Sequence, residues 1–264
     1  MAGDPSASVA HFEACAEASE LAADLRNVCR ARANVGFVTM ELGAYAEAEA
    51  HLRAALAAAE RMGLQNMVAV SKHNLGMTLA HQGRLEEGRA IEEEALVALA
   101  TQGERRLEAG TRSYLAIILR QLGDLSGAER EARAAIEVVA AIKPGRANAL
   151  AVLADVLLRA GRSVEALAAA TEARAILEEL GTLEEGEALV RLVHGEALAA
   201  TGAPEEAARA LQQGRAWLLD KAEKLSQPRW RESFLSCVHD HVRLLGKLGN
   251  VALVPPKPAG YAPR

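Results

Sequence analysis

Apolar positions recur along the chain with a helical period, in stretches of about fifteen residues punctuated by glycine. The segment "SKHNLGMTLAHQGRLEEGRA", residues 71–90, places Gly76, Gly83 and Gly88 within thirteen residues of otherwise helical pattern. Glycine costs roughly 1 kcal/mol at an interior helix site relative to alanine, so this density needs a reason. The glycines that follow long periodic stretches are Gly43, Gly63, Gly83, Gly103, Gly123, Gly145, Gly161, Gly181 and Gly202, spaced by 20, 20, 20, 20, 22, 16, 20 and 21 residues. One amphipathic helix with a glycine turn therefore recurs about every 20 residues, and two helices make a unit of about 40.

Aligning the alternate glycines 43, 83, 123, 161 and 202 brings a second regularity into view. Seven residues before them stand Gly36, Gly76, Ala116, Ala154 and Gly195; five after stand Ala48, Gly88, Ala128, Ala166 and Ala207. Gly83 is then the turn, where glycine reaches positive φ without a Cβ penalty. Gly76 and Gly88 sit on the two flanking helices and let antiparallel axes approach near the close end of the usual ~8–10 Å range. Leu75 and Leu79 fill the groove beside them. The pattern predicts an all-α solenoid of antiparallel helix pairs, an elongated curved rod with Ala128 at a helix crossing and Ala44 at the surface.

The stretch "NLGMTLAHQGRLEEGRAIEEEAL" resembles the tetratricopeptide repeat, whose small residues and turn glycine fall at these offsets. That repeat is usually about 34 residues long, so each helix here gains about one turn. The usual late proline is missing, and the tryptophan and tyrosine positions are not kept. "GAYAEAEAHLRAALAAAERMGL" and the later "QPRWRESFLSCVHDHVRLLGKLG" are similar to the C-terminal repeat region of large bacterial serine/threonine protein kinases, where a kinase domain lies upstream. The resemblance implies a right-handed α-solenoid acting as a non-catalytic protein- or peptide-binding module, the regulatory part of a bacterial signalling protein. Two alternatives stand beside it: a multidomain protein carrying kinase activity, and a self-associating structural scaffold.

Along the chain, residues 1–23 read as a partial repeat with only its second helix, which suggests a piece of a longer protein. Residues 24–226 read as five helix pairs. Residues 227–249 read as one capping helix opening at Pro228, with Phe234, Leu235, Val238, Val242 and Leu245 on one face. Residues 250–264 form a proline-rich tail expected to be extended or disordered.

Composition narrows the function classes. Half the residues are hydrophobic but only 3% aromatic, which favours closely packed helices rich in alanine and leucine. A formal charge of −5, with basic and acidic residues intermixed, argues against nucleic acid as a partner. No signal-peptide pattern and no run of about 18 apolar residues is present, so no membrane partner and a cytoplasmic location are expected. Cys15, Cys29 and Cys237 form no pair-rich framework and no CxxC, as suits reduced thiols.

Catalytic motifs are sought without result. "HVRLLGKLG" lacks the first glycine of a phosphate loop and has Leu248 where a magnesium-binding hydroxyl belongs. No kinase HRD or DFG motif occurs, and no nucleophile elbow. His239 and His241 are two apart and point to different sides of a helix; metal sites want three or four. The first-turn acids Glu86 and Glu87 complement a helix dipole. Neither metal nor cofactor is expected.

What remains is surface. Counting helically from each small residue, the inner wall carries Arg30, Asn34, Phe37 and Met40; then His73, Asn74, Met77 and His81; then Tyr114, Ile117 and Arg120; then Asn148, Asp155 and Arg159. Asn34 and Asn74 are equivalent, each two before the small residue. Carboxamides donate and accept at once, so they suit either an extended peptide's backbone or a bridge between neighbouring helices. Methionines repack around varied apolar side chains, and Arg120 is expected to pair an acidic ligand group.

Overall fold

A computed structural model of the chain describes residues 5–246, and every regular element among them is an α-helix. After α1 (Pro5–Leu21) come α2 (Leu25–Glu41) and α3 (Tyr45–Arg61), α4 (Gln65–His81) and α5 (Leu85–Gln102), α6 (Arg105–Leu122) and α7 (Leu125–Val138). Then follow α8 (Lys143–Arg159) and α9 (Ser163–Leu180), α10 (Glu187–Ala200) and α11 (Pro204–Glu223), α12 (Pro228–Ser236) and α13 (His239–Leu244). Each of the five pairs packs on itself, and α2, α4, α6, α8 and α10 touch in sequence order to form an inner wall.

The turn glycines act as the spacing predicts. Gly43, Gly63, Gly83, Gly103, Gly123, Gly161, Gly181 and Gly202 have φ between +66° and +90°. Gly145 does not: it lies within α8, and the turn before it, at residues 140–142, contains no glycine. One period before Gly43 the same position is held by Ala23, at φ +56°, the left-handed region that a Cβ disfavours.

The paired small residues stand at the crossings. A Cβ on Gly88 would meet the Gly76 carbonyl oxygen at 2.6 Å, and one on Gly76 would meet the Glu92 side chain at 2.6 Å. Ala116, Ala128, Ala154 and Ala166 are fully buried. The principal core joins α8, α9 and α10 through Ala151, Ala154, Ala166, Ala170, Val190 and Val193. Small side chains there permit the close axes, and leucines such as Leu157 and Leu177 fill what is left. Ala44 corrects its expectation: it is half-buried beside Val35, Leu42 and Trp230.

An ion-pair ladder repeats on the outer side. Arg84 reaches Glu49 of the preceding pair at 2.8 Å and its own Glu87; Arg162 reaches Glu129 at 2.6 Å and its own Glu165. The arginines of these pairs are partly exposed, and such solvent-screened pairs contribute about 0.2–1 kcal/mol each.

The C-terminal segment departs most from expectation. The single helix predicted from Pro228 is two, because Val238 takes extended backbone (φ −71°, ψ 115°) between α12 and α13. Leu244 of α13 packs on Leu192 and Leu218, as a cap would. In contrast, α12 crosses to the first pair, where Trp230 is buried with Val9, Val35, Leu42 and Leu225. The solenoid is thus a bridged structure rather than an open rod. The proline-rich tail, residues 250–264, lies outside the described residues.

Candidate ligand channel

The inner wall faces two adjoining cavities. The larger, of about 820 Å³, is lined by Asn34, Val70, His73, Asn74, Ser113 and Asn148 from the first helices, and bordered by loop residues 182–185 before α10. The smaller, of about 290 Å³, is lined by Met40, Met77, His81, Tyr114, Ile117, Arg120 and Asp155, with Phe234 and residues 238–241 of the C-terminal segment opposite. Phe37, Asn148, Glu185 and Lys221 border both. Helical spacing on α2 produces this layout directly: Asn34, Phe37 and Glu41 lie on one stripe running from the larger cavity into the smaller.

Asn34 is half-buried and Asn74 is 6% exposed, yet neither carboxamide makes a hydrogen bond among the described residues. Asn148, one turn earlier in its repeat, is likewise unbonded there. They therefore do not bridge helices. They present donors and acceptors to the larger cavity.

His73 is fixed from behind. Its Nδ1 lies 2.9 Å from Thr111 Oγ1 and 3.3 Å from Glu92 Oε2, and its ring stacks on Tyr114 at 4.5 Å. Thr111 donates its own hydroxyl proton to Leu107 O, so it accepts from His73 Nδ1. Burial pulls the His73 pKa down to about 3 and pushes the Glu92 carboxyl well above its usual range. The order threonine, histidine, glutamate resembles a nucleophilic relay, but both partners meet the same ring nitrogen and the hydroxyl is committed elsewhere. A relay needs the two nitrogens on opposite partners.

Several titratable groups line the smaller cavity, among them Glu41, His81, Tyr114 and Glu185. Tyr114 OH donates to Glu185 Oε1 at 2.6 Å. Burial, with Glu185 and Asp240 nearby, raises the Glu41 pKa to about 8. His81 stacks on Tyr45 at 4.6 Å, and burial lowers its pKa to about 4.

Arg120 already has an acidic partner within the protein, which the sequence did not anticipate: its Nε lies 3.2 Å from Asp155 Oδ2, while its Nη1 is buried without a hydrogen-bond partner. Arg243 of α13 holds the other Asp155 oxygen at 3.0 Å and Glu196 at 2.6 Å. Burial opposes ionisation of Asp155, but the two guanidiniums outweigh it and hold its pKa below the usual value. Arg30 and Arg159 are exposed and line neither cavity. Among the described residues no three His, Cys, Asp or Glu side chains cluster to hold a metal ion, and no helix is long and apolar enough to cross a membrane.

Sequence reasoning missed Glu185, Lys221 and the C-terminal segment as channel walls. The stretch "GTLEEGE" carried a signal, since Gly181 and Gly186 both have positive φ and together extend one turn into an inward loop.

The sequence profile of the tetratricopeptide repeat matches residues 28–62 and 68–98. No curated protein matches the chain. A Rap protein solved with competence and sporulation factor is similar in structure, with a TM-score of 0.65 at 16% identity, over 90% of this chain and 70% of that one. BtubC (BKLC) from P. vanneervenii is similar over 98% of both chains, with a TM-score of 0.58 at 17% identity. The Rap conjugation gene regulator of plasmid pLS20, solved with the Phr* peptide, has a TM-score of 0.61 at 13% identity over 83% of this chain and 63% of that one. At such identities the likeness shows a shared tetratricopeptide-like solenoid fold.

Proposed function

We propose that this chain is a non-catalytic module that holds an extended peptide, or an extended segment of a partner protein, against the inner wall at Asn34, Phe37, His73 and Asn74. The carrying observation is the pair of unbonded carboxamides at equivalent places in consecutive repeats, 40 residues apart, facing one cavity. An extended backbone offers alternating N–H and C=O groups, and carboxamides match both. The two Rap structures, solved with a competence and sporulation factor and a Phr* peptide, lend fold-level support.

The finer reading is the regulatory part of a cytoplasmic bacterial signalling protein, with kinase activity elsewhere in the polypeptide as the alternative. Its support is the resemblance of the two flanking stretches quoted above. Self-association is favoured by one observation, the exposed Leu21 (92%) and Leu25 (58%) at the α1 end. Light scattering across a concentration series separates that reading from a monomeric binder.

The test selects peptides from a displayed library on the wild-type chain and measures their affinity for Asn34→Ala with Asn74→Ala. Each lost bond should weaken binding by about 1 kcal/mol, or roughly fivefold, with the thermal midpoint unchanged. Selected peptides that ignore this double variant but fail on outer-face variants would move the site to the other wall.

A further inference from the structure

The smaller cavity is already roofed. One side is inner wall and the other is the protein's own C-terminal segment, through Phe234, Val238, His239, Asp240 and His241. The segment is anchored at both ends of the solenoid. At the first pair, Ser233 Oγ donates to Leu42 O at 2.7 Å, Tyr45 OH donates to Cys237 O at 3.2 Å, and Arg229 pairs with Glu47 at 2.9 Å. At the far pairs, Arg243 pairs with the buried Asp155 and the half-buried Glu196.

Three features suit this segment to release. Its helices have nine and six residues, too short to persist in water once detached. Trp230 Nε1 is buried without a hydrogen-bond partner, and Arg243 Nη1 has only Asp240 near it, at 3.7 Å, so the seat is imperfect. Most of its polar anchors are single side-chain contacts, and its apolar seat is confined to the end pairs, at Leu42 and Leu225 and at Leu192 and Leu218, while successive pairs also pack on one another.

Building on the channel reading above, we propose that α12–α13 is an intramolecular occupant of the ligand channel, covering the Met40–Tyr114–Arg120 half. A partner peptide that fills the whole channel must displace it. The seat also specifies the competitor's chemistry. The segment presents Trp230 and Phe234 to apolar wall and Arg229 and Arg243 to Glu47, Asp155 and Glu196. The fitting competitor is therefore an aromatic peptide with a basic residue placed for the Asp155–Glu196 pair.

The test supplies the occupant in trans. A fluorescein-labelled synthetic peptide of residues 227–246 is titrated, by anisotropy, into the full-length wild type and into full-length Trp230→Ala with Ser233→Ala. The loosened variant is expected to bind at least about tenfold more tightly than wild type. The same peptide carrying Arg243→Glu is expected to lose at least about tenfold on that variant. Equal binding to wild type and to a variant that keeps its helical circular dichroism overturns the proposal, as does indifference to Arg243→Glu. Should the double variant lose its cooperative melt, Ser233→Ala alone is read by tryptic cleavage after Arg229 and Arg231. That cleavage should quicken several-fold, and an unchanged rate overturns the proposal. The probe is the segment itself, so a failed Asn34 and Asn74 experiment would discard the peptide-binding reading without touching this result.

Discussion

The hydroxyl of Ser233 donates to the carbonyl of Leu42, 191 residues earlier, at 2.7 Å. Directly beside this bond lies Gly43, at φ +78°, where a Cβ would stand 2.7 Å from the Ser233 carbonyl oxygen. The turn glycine of the first pair thus does a second task that its counterparts do not: it lets the C-terminal segment close against it.

That difference is measurable. Gly103 has nearly the same φ, +74°, and a Cβ there would meet nothing within 4 Å. Gly103→Ala should cost only the left-handed penalty of about 1–2 kcal/mol. Gly43→Ala should cost that and a backbone clash besides, and should expose Trp230. Urea midpoints and a red shift of tryptophan emission check both; equal midpoints with unshifted emission would show that the contact is not closed in solution.

Ala128 is fully buried at the α6–α7 crossing. Ala128→Leu should overpack it by about 1–3 kcal/mol. Ala57, exposed on α3, is the proper control, and Ala57→Leu should stay within about 0.5 kcal/mol. Denaturant midpoints that do not separate the two variants would place the repeat register wrongly.

Glu92 is fully buried under Gly76, with its Oε1 unpartnered. Burial raises its folded-state pKa well above the ordinary value, and the neighbouring Glu185 charge adds to the rise. The folded state therefore holds a proton that the unfolded state releases at about pH 4.3. Stability should be fully present below that pH and fall by up to about 1.4 kcal/mol per pH unit as pH rises towards the folded pKa. Glu92→Gln removes this slope. Its urea midpoint should exceed that of wild type at pH 8 and not at pH 4; parallel pH profiles for the two proteins would rule the buried carboxyl out as their source.

Breaking the roof from the charge side should be costly. Arg243 is 6% exposed in its side chain and faces Asp155, itself 3% exposed. Arg243→Ala should destabilise by about 1.5–3 kcal/mol, the range for losing hydrogen bonds to charged groups, because Arg120 still faces Asp155. Arg229→Ala, at the exposed pair with Glu47, should cost less than about 1 kcal/mol. Calorimetric midpoints rank the two, and an Arg229 effect as large as that of Arg243 would contradict the burial pattern.

The sequence by itself determined the repeat. Turn glycines at φ near +80° and small residues at fixed offsets are local requirements: each is imposed by the backbone at that turn or by the neighbouring helix across it, so each leaves a mark in the chain. Gly76 and Gly88 could be placed at a crossing from spacing alone, and Asn34, Phe37, Met40, Asn74 and Met77 on one wall. Gly145 shows the limit of that method, since a glycine inside α8 falls almost in phase with the turns. Tertiary structure alone decided the rest. Whether Asn34 and Asn74 were bonded, and that Arg120 was already taken by Asp155, depended on helices one or more repeats away. That α12 returns to Leu42 depended on the summed twist and rise of five pairs, which brings the two ends within reach. Such closure is set by the whole array, and no short stretch of sequence encodes it.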